Sequence, residues 1–390
     1  MYSVLRPAGA PPSCLAMLSP PQDPPTCIND LPNELLERIF SYACTDGGFT
    51  GRSISLVSKC AHRNARPVRF RNVSLSGYRQ IESFLNLLGK ERLVTPIHVS
   101  NLYISTWTDG EEITKVRNGQ PPRWDGLHPY LPSPIPTDPQ WRVWMVLQEA
   151  VDKKLAELIF RLLLNVAPTL HALSIVHSWE FGAIHLPPCL PFLKDFTFCG
   201  PPPHMPCKLS SSPPSLPDLK RLHVICWNAS IACWLYHAPG MTSLRLSDVS
   251  YSACTLPCEL QTQIGIFVHG SGPSVFPKHH SLRHVRIQPR GVPPSWSGTP
   301  SAGHEFLLQL QRIRPNAGIR FELMQERVYR YGYWGDRIRN DWLNAIVSAP
   351  GWWIEGEMQE EGGDALVSIS EDDEDQAALE RPLSHWAQQL

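Results

Sequence analysis

Apolar residues recur with two different periods along this chain, and the change of period divides it into parts. Between residues 31 and 43 they recur every three or four positions, the period of an α-helix, at Leu31, Leu35, Leu36, Ile39, Phe40 and Ala43. Pro32 suits the first turn of that helix, and the pair Gly47-Gly48 predicts its end. A second apolar run at 54–58 predicts another helix. A unit this short cannot bury so wide an apolar surface alone, so we expect part of it to bind a partner.

Helical periodicity continues over two further segments. Segment 81–88 is followed by Gly89 as a stop, and segment 139–166 ends before Pro168. A proline-rich loop at 118–139 leads into the longer of the two. We expect both helices to lie in a region that links the N-terminal helices to the rest of the chain.

Beyond residue 166 the pattern becomes apolar-x-x-apolar-x-x-apolar-x-apolar, and it repeats. The sets are Ala167, Leu170, Leu173 and Ile175; Leu190, Leu193, Phe196 and Phe198; Leu216, Leu219, Leu222 and Val224; Ala238, Met241, Leu244 and Leu246; and His279, Leu282, Val285 and Ile287, with a degenerate first position. Val99, Leu102 and Ile104 match the end of the same pattern. Successive sets lie about 22 to 26 residues apart, with one interval of about 41. The final alternation predicts a short strand in each set, and stacking of the sets would bury their apolar faces.

Two resemblances follow from these residues. Leu31-Pro32, Glu34-Leu35-Leu36, Ile39-Phe40 and Leu56-Val57-Ser58-Lys59 resemble an F-box, and 66–70 looks like the ending found in fungal members of that family. The repeats are similar to leucine-rich repeats, which often follow an F-box. The F-box resemblance implies binding to the Skp adaptor of cullin–RING ubiquitin ligases. It places the adaptor-binding surface on Leu31, Pro32, Leu35, Leu36, Ile39, Leu56 and Val57.

The predicted fold class is therefore α/β, with an N-terminal helical F-box-like module followed by a leucine-rich-repeat-like solenoid of short parallel strands, helices and loops. We expect a disordered proline-rich segment at 1–26, the module at 27–75, a helical linker region with its proline-rich loop at 76–166, and the repeat domain at 167–354. A helix at 304–313, a strand at 318–324, a helix near 338–347 and the aromatic-rich stretch 329–353 are expected to cap that domain. An acidic disordered tail is expected at 355–390.

Composition narrows the function classes. The 390 residues include 35 Lys and Arg against 36 Asp and Glu, a net charge of −1, which argues against a nucleic-acid or membrane surface. The 11 cysteines are scattered, with no paired framework, and the first residues have no secretory leader. We therefore expect an intracellular protein, cytoplasmic or nuclear, with free thiols and no membrane partner.

Catalytic and metal-binding motifs are missing from the sequence. Neither Cys199, His204 and Cys207 nor Cys254 and Cys258 give the four-ligand spacing of a zinc site, and no phosphate-binding loop is complete. We expect no cofactor and no enzyme activity. Arginines interleaved with Tyr and Trp at 312–339 suit single-stranded nucleic acid, but the overall neutrality favours a structural role for them.

A client-binding face is predicted from the residue between the last two apolar positions of each repeat. Those residues are Ser174, Thr197, His223, Arg245 and Arg286, so the face becomes basic along the repeats. His223, Arg245 and Arg286 are candidates for binding an acidic or phosphorylated client, and an ordinary solvated face is the alternative. The run 366–375 resembles a SUMO-interacting motif or could fold back on this face.

The sequence thus predicts a substrate receptor that joins a Skp adaptor and its cullin to an unknown protein client. The alternative is a leucine-rich-repeat scaffold with no role in ubiquitin transfer.

Overall fold

The computed structural model describes residues 28–91, 97–106, 139–177, 182–205, 214–225, 231–251, 253, 255–265, 281–291, 300–326 and 333–347. The segments predicted to be disordered at 1–26 and 355–390, and nearly all of the proline-rich loop at 118–139, lie outside the described residues.

Three helices form the N-terminal module: α1 (Asn33–Ala43), α2 (Phe49–Val57) and α3 (Lys59–Ala65), after a 3-10 turn at Ile28–Asp30. Helix α2 begins before the predicted apolar run, where the Asp46 carboxylate accepts a hydrogen bond from the Thr50 N–H at 2.9 Å. Helix α3 was not predicted. Ser58 begins it, because the Ser58 hydroxyl accepts from the Ala61 N–H at 3.0 Å. Helices α1 and α3, with the turn after α3, form a small core of Leu36, Phe40, Ala65 and Val68, and Ile54 of α2 packs against it.

In the described part of the chain, eight parallel strands form one sheet, and each strand pairs with the next along the chain. The strands are β1 (Asn72–Ser76), β2 (Asn101–Ser105), β3 (Ala172–Val176), β4 (Asp195–Cys199), β5 (Arg221–Ile225), β6 (Ser243–Val249), β7 (His284–Pro289) and β8 (Arg320–Leu323). This sequential order confirms the prediction of an α/β fold built from short parallel strands. Strand β1 lies inside the segment assigned to the N-terminal module, so the sheet begins earlier than the repeats indicated.

The second and fourth residues of each strand lie on one side of the sheet, which we call the core face. They pack with residues of α4 (Gly77–Glu91), α5 (Pro139–Val166), α6 (Ile231–His237), α7 (Leu256–Ile264) and α8 (Pro300–Gln311) in one apolar core. The leucine pattern is confirmed by burial: Leu170, Leu193, Leu219, Met241 and Leu282 are all 0% exposed. Residues one, three and five of each strand lie on the other side, the opposite face.

The loop between α1 and α2 lies along the free edge of β1. The Ser74 N–H donates to the Gly47 carbonyl oxygen at 3.0 Å, and the Asn72 side-chain amide donates to the Cys44 carbonyl oxygen at 2.7 Å. Gly47 has φ +80°, and a Cβ there would lie 2.8 Å from the Ser74 Cβ, so both backbone angle and space require glycine. The loop therefore covers backbone groups that an edge strand would otherwise expose.

Helix α9 (Tyr333–Val347) lies across the opposite face. The sequence predicted this helix but placed it as a cap of the repeat domain. The structure corrects that position, because its residues contact β2 and β3. Within the part of the chain that the structure describes, none of the helices combines the length and the apolarity needed to cross a bilayer.

Candidate functional site

Exposed apolar side chains are concentrated on the N-terminal module. Among the described residues, seven of the ten large hydrophobic side chains that are exposed lie there: Ile28, Leu35, Ile39, Tyr42, Phe49, Leu56 and Val57. Single exposed hydrophobic residues are common on soluble proteins, whereas a concentration of them on one small unit is typical of an interaction surface. We call Leu35, Ile39, Tyr42, Leu56 and Val57 the module surface.

The module surface contains four of the seven residues predicted to bind an adaptor. Leu35 and Ile39 lie one turn apart on α1, and Tyr42 extends their row by three positions. Leu56 and Val57, at the end of α2, are 78% and 77% exposed. These side chains are open to a partner in the structure as it stands.

The other predicted residues differ in their placement. Pro32 is exposed beside α1, and Leu31 is half-buried against the small core of the module. Leu36 is only 3% exposed and belongs to that core. Its expected place on the binding surface is therefore corrected: Leu36 stabilises the module from within.

The opposite face of the sheet is covered by α9. Trp334, Ile338 and Trp342, at intervals of four along the helix, pack on apolar strand residues of this face: Tyr103, the third residue of β2, and Val176, Cys199 and Ile225, the fifth residues of β3, β4 and β5. The Tyr103 hydroxyl also donates to the Gly335 carbonyl oxygen at 3.2 Å. Burial beneath the helix raises the pKa of Tyr103 to about 12. The helix is thus an integral layer on this side of the sheet.

The predicted client-binding residues lie in one row across the strands. Ser174, Thr197, His223, Arg245 and Arg286 are successive partners in the sheet register. His223 is only 3% exposed, and its ring meets the Trp334 ring edge-on at 6.4 Å. The expectation that His223 contacts a client is therefore corrected, since α9 covers it.

Charge on this face is more balanced than the row of basic residues suggested. The Arg286 Nε pairs with the Glu322 carboxylate at 2.5 Å, and the Arg245 Nε lies 3.3 Å from the Ser247 hydroxyl oxygen. Both arginines are half-buried. Burial, followed by the positive charges of Arg245 and Arg337, holds the pKa of His223 well below its usual value. His223 is therefore neutral at physiological pH.

A cavity of about 160 Å³, lined by both polar and apolar side chains, lies between part of α9 and the sheet. Its lining includes Ser174, Thr197, Asp195, Arg221 and Asp341. The Asp195 carboxylate binds the Arg221 guanidinium through both oxygens, with Nη2 to Oδ2 at 2.6 Å. Burial raises the pKa of Asp341, against the opposing effect of nearby Arg337 and Arg245. The cavity is smaller than most ligand pockets, and among the described side chains no group of three His, Cys, Asp or Glu could hold a metal ion.

The sequence predicted α9 as a helix but not its position over the sheet, although the sequence contains a sign that this face is covered. The fifth strand position is apolar in three successive strands, at Val176, Cys199 and Ile225. In a strand with one solvated face, polar residues on that face alternate with apolar residues on the other. Apolar residues at the same position of three adjacent strands therefore require another element to cover them. Comparison of the chain with protein-family models, curated proteins and solved structures finds no match.

Proposed function

We propose that this chain is the substrate-receptor subunit of a cullin–RING (SCF-type) ubiquitin ligase. The N-terminal F-box-like module binds a Skp-type adaptor, and the leucine-rich-repeat-like sheet domain binds a protein client. The chain performs no catalytic step. Its contribution is proximity, because holding the client near the ligase makes ubiquitin transfer nearly intramolecular.

The observation that carries this proposal is the module surface. Its residues are large, apolar and exposed, while the apolar core of the module consists of only a few side chains. An amphipathic helix whose outer face is also apolar is suited to lie against a hydrophobic groove of another protein. The F-box resemblance of the same residues supplies the identity of that partner.

The size of the effect follows from the exposed fractions. Leu35 is 48% exposed and Ile39 is 44% exposed. Because fully burying such a side chain contributes about 1.5–3 kcal/mol, covering the exposed half of each contributes about 1 kcal/mol. Replacing both by Lys removes that contribution and adds the desolvation of two charges. We expect the dissociation constant of the adaptor complex to rise at least about 30-fold.

The test is co-purification of the full chain with a recombinant Skp adaptor and a cullin. Leu35→Lys combined with Ile39→Lys should abolish capture of both proteins. Leu164→Lys is the matched control, since Leu164 is a leucine with similar exposure (44%) on α5, outside the module. It should leave capture unchanged, and thermal unfolding should show that both variants are folded.

Two outcomes would contradict the proposal. Capture of the adaptor by the double variant at the level of Leu164→Lys would show that the module surface does not bind it. If the wild-type chain binds other proteins through this surface but no adaptor or cullin, the scaffold function is correct instead.

A further inference from the structure

A row of mainly basic residues runs along one edge of the sheet. The residue immediately before each of the first seven strands is Arg71, Ser100, His171, Lys194, Lys220, Thr242 and Arg283 in turn. We call these the pre-strand row. No acidic residue occurs in it, and four of its five basic side chains are exposed.

The backbone aligns these residues. The His171 carbonyl oxygen accepts from the Lys194 N–H at 2.8 Å, the Lys194 carbonyl from the Lys220 N–H at 2.9 Å, and the same bond links the other neighbours in the row. Adjacent side chains are therefore separated by about 4.8 Å, the spacing of paired strands. The row is a ladder of positive charge fixed by the sheet register.

Nearby acidic groups neutralise this row only in part. Asp195, next to Lys194, is engaged with Arg221, while Asp218 near Lys220 and Glu37 near Arg71 are exposed carboxylates. In the described part of the chain, neither Lys194 nor Lys220 forms an ion pair with a carboxylate. The pKa of His98, beside the row, is lowered first by burial and then by the charges of His171 and Arg71. The edge thus keeps a positive potential.

The end of helix α9 lies toward this edge of the sheet, so the chain that follows the helix starts from there. Its first turn lies over the middle of the sheet, where the Gly335 carbonyl oxygen accepts from the Tyr103 hydroxyl and the Trp334 ring meets the His223 ring. Its last turns line the cavity with Asn101 and Ala172, the first residues of β2 and β3. The end of the helix therefore lies toward the edge that carries the pre-strand row.

The sequence that follows is strongly acidic. Segment 355–375 contains ten acidic residues and no Lys, Arg or His: Glu355, Glu357, Glu360, Glu361, Asp364, Glu371, Asp372, Asp373, Glu374 and Asp375. Seven residues, 348–354, separate it from the end of α9, and the eight Cα–Cα steps from Val347 to Glu355 span up to about 28 Å. The pre-strand row from β1 to β7 is about 29 Å long. The segment can therefore reach the whole row from its point of departure.

We propose that the acidic segment 355–375 of this chain binds the pre-strand row. Each exposed carboxylate–ammonium contact is weak, but covalent attachment gives the segment a millimolar effective concentration at the row. The contact is electrostatic and is therefore weakened by salt, since the screening length falls from about 8 Å at physiological ionic strength to about 3 Å at 1 M. An external acidic ligand has to displace this segment to reach the same basic side chains.

The experiment uses the full chain with a photo-crosslinking amino acid in place of Gln376, a neutral residue directly after the acidic run. We expect adducts within single molecules to fall on peptides containing Lys194 and Lys220. Lys194→Glu with Lys220→Glu should lower their yield at least about tenfold, as should 1 M salt. Lys59→Glu with Lys90→Glu is the matched control, because both lysines are exposed elsewhere, and it should change the yield less than about twofold.

A second variant keeps the test independent of changes in the sheet. Neutralising 371–375 with Gln and Asn should cause the same loss of adducts. Adducts spread evenly over the exposed surface, or a yield unaffected by either charge change, would overturn the proposal. Adducts found only between molecules would also overturn it, because the occupant would then be a second copy.

Discussion

The strongest prediction concerns the indole of Trp342, which holds α9 on the sheet. Trp342 is 3% exposed, its ring centroid lies 5.8 Å from that of Tyr103, and Gly47 lies close to its outer edge. Trp342→Ala removes contacts with the sheet and with the loop that covers β1. We expect α9 to detach from the opposite face more often, while the core-face packing of the sheet remains.

The magnitude follows from the buried area. A buried Trp side chain hides about 150–250 Å², which at about 25 cal/mol per Å² corresponds to about 4–6 kcal/mol. Measured Trp→Ala and Phe→Ala changes in protein cores are about 3–5 kcal/mol. The free energy of opening α9 should therefore fall by about 3–5 kcal/mol, which is about 150-fold to 5,000-fold in the opening equilibrium.

Hydrogen exchange of the α9 backbone amides measures this equilibrium. A detached helix of 15 residues is barely stable in water, so detachment exposes its amides. Val347→Ala is the control within the same helix, because Val347 is 72% exposed and its loss should change protection by less than about 0.5 kcal/mol. A second measurement is absorbance titration of Tyr103, whose pKa should fall from about 12 toward 10 in Trp342→Ala.

Equal protection of α9 in Trp342→Ala and Val347→Ala would refute this reasoning. Other contacts would then hold the helix, and its packing on Tyr103, Val176, Cys199 and Ile225 would not be the reason for its position.

Three further predictions concern stability. Gly200→Ala should lower the melting temperature, because φ is +136° there and a Cβ would overlap a backbone carbonyl oxygen; Gly89→Ala, in open space on α4, should not. Leu36→Ala should destabilise the N-terminal module by about 2–5 kcal/mol in urea unfolding, whereas Leu35→Ala should change its stability by less than about 0.5 kcal/mol. As the pH falls below about 6.5, His223 takes up a proton in the unfolded chain but not in the folded chain, so the free energy of unfolding decreases. His223→Gln should reduce the pH dependence of this free energy by up to about 1.4 kcal/mol per pH unit.

The repeat strands could be predicted from the sequence because their burial follows a local rule. Alternation within each set places Leu222 and Val224 on the core face, and the preceding Leu219 closes the turn before the strand. Strand β1 also matches the end of the repeat pattern, because Phe70, Val73 and Leu75 have the spacing of Val99, Leu102 and Ile104. These residues lie inside the segment 27–75 that the F-box resemblance covers, so the sequence did not indicate a separate strand there.

The candidate site was harder to predict, because it depends on packing between distant segments. Leu35 and Leu36 are adjacent on an apolar helix, and only the position of α3 decides which of them is buried. The sequence predicted an exposed His223, because the third residue of each repeat strand lies on the side of the sheet away from the core and normally faces solvent. Helix α9 buries it: the apolar fifth positions of β3, β4 and β5 indicate that this face is covered, but they do not identify the cover as a helix that begins at residue 333.

The position of α9 also sets the order in which the molecule can assemble. Tyr103 and Gly335 are hydrogen-bonded across 232 residues, whereas each strand pairs with the next one along the chain. The sheet can therefore grow progressively during synthesis, but the covering helix docks only after all eight strands have left the ribosome. Until then Tyr103, Val176 and Ile225 remain uncovered on the growing sheet. Chains interrupted before residue 333 should consequently be substrates for chaperones and prone to aggregate.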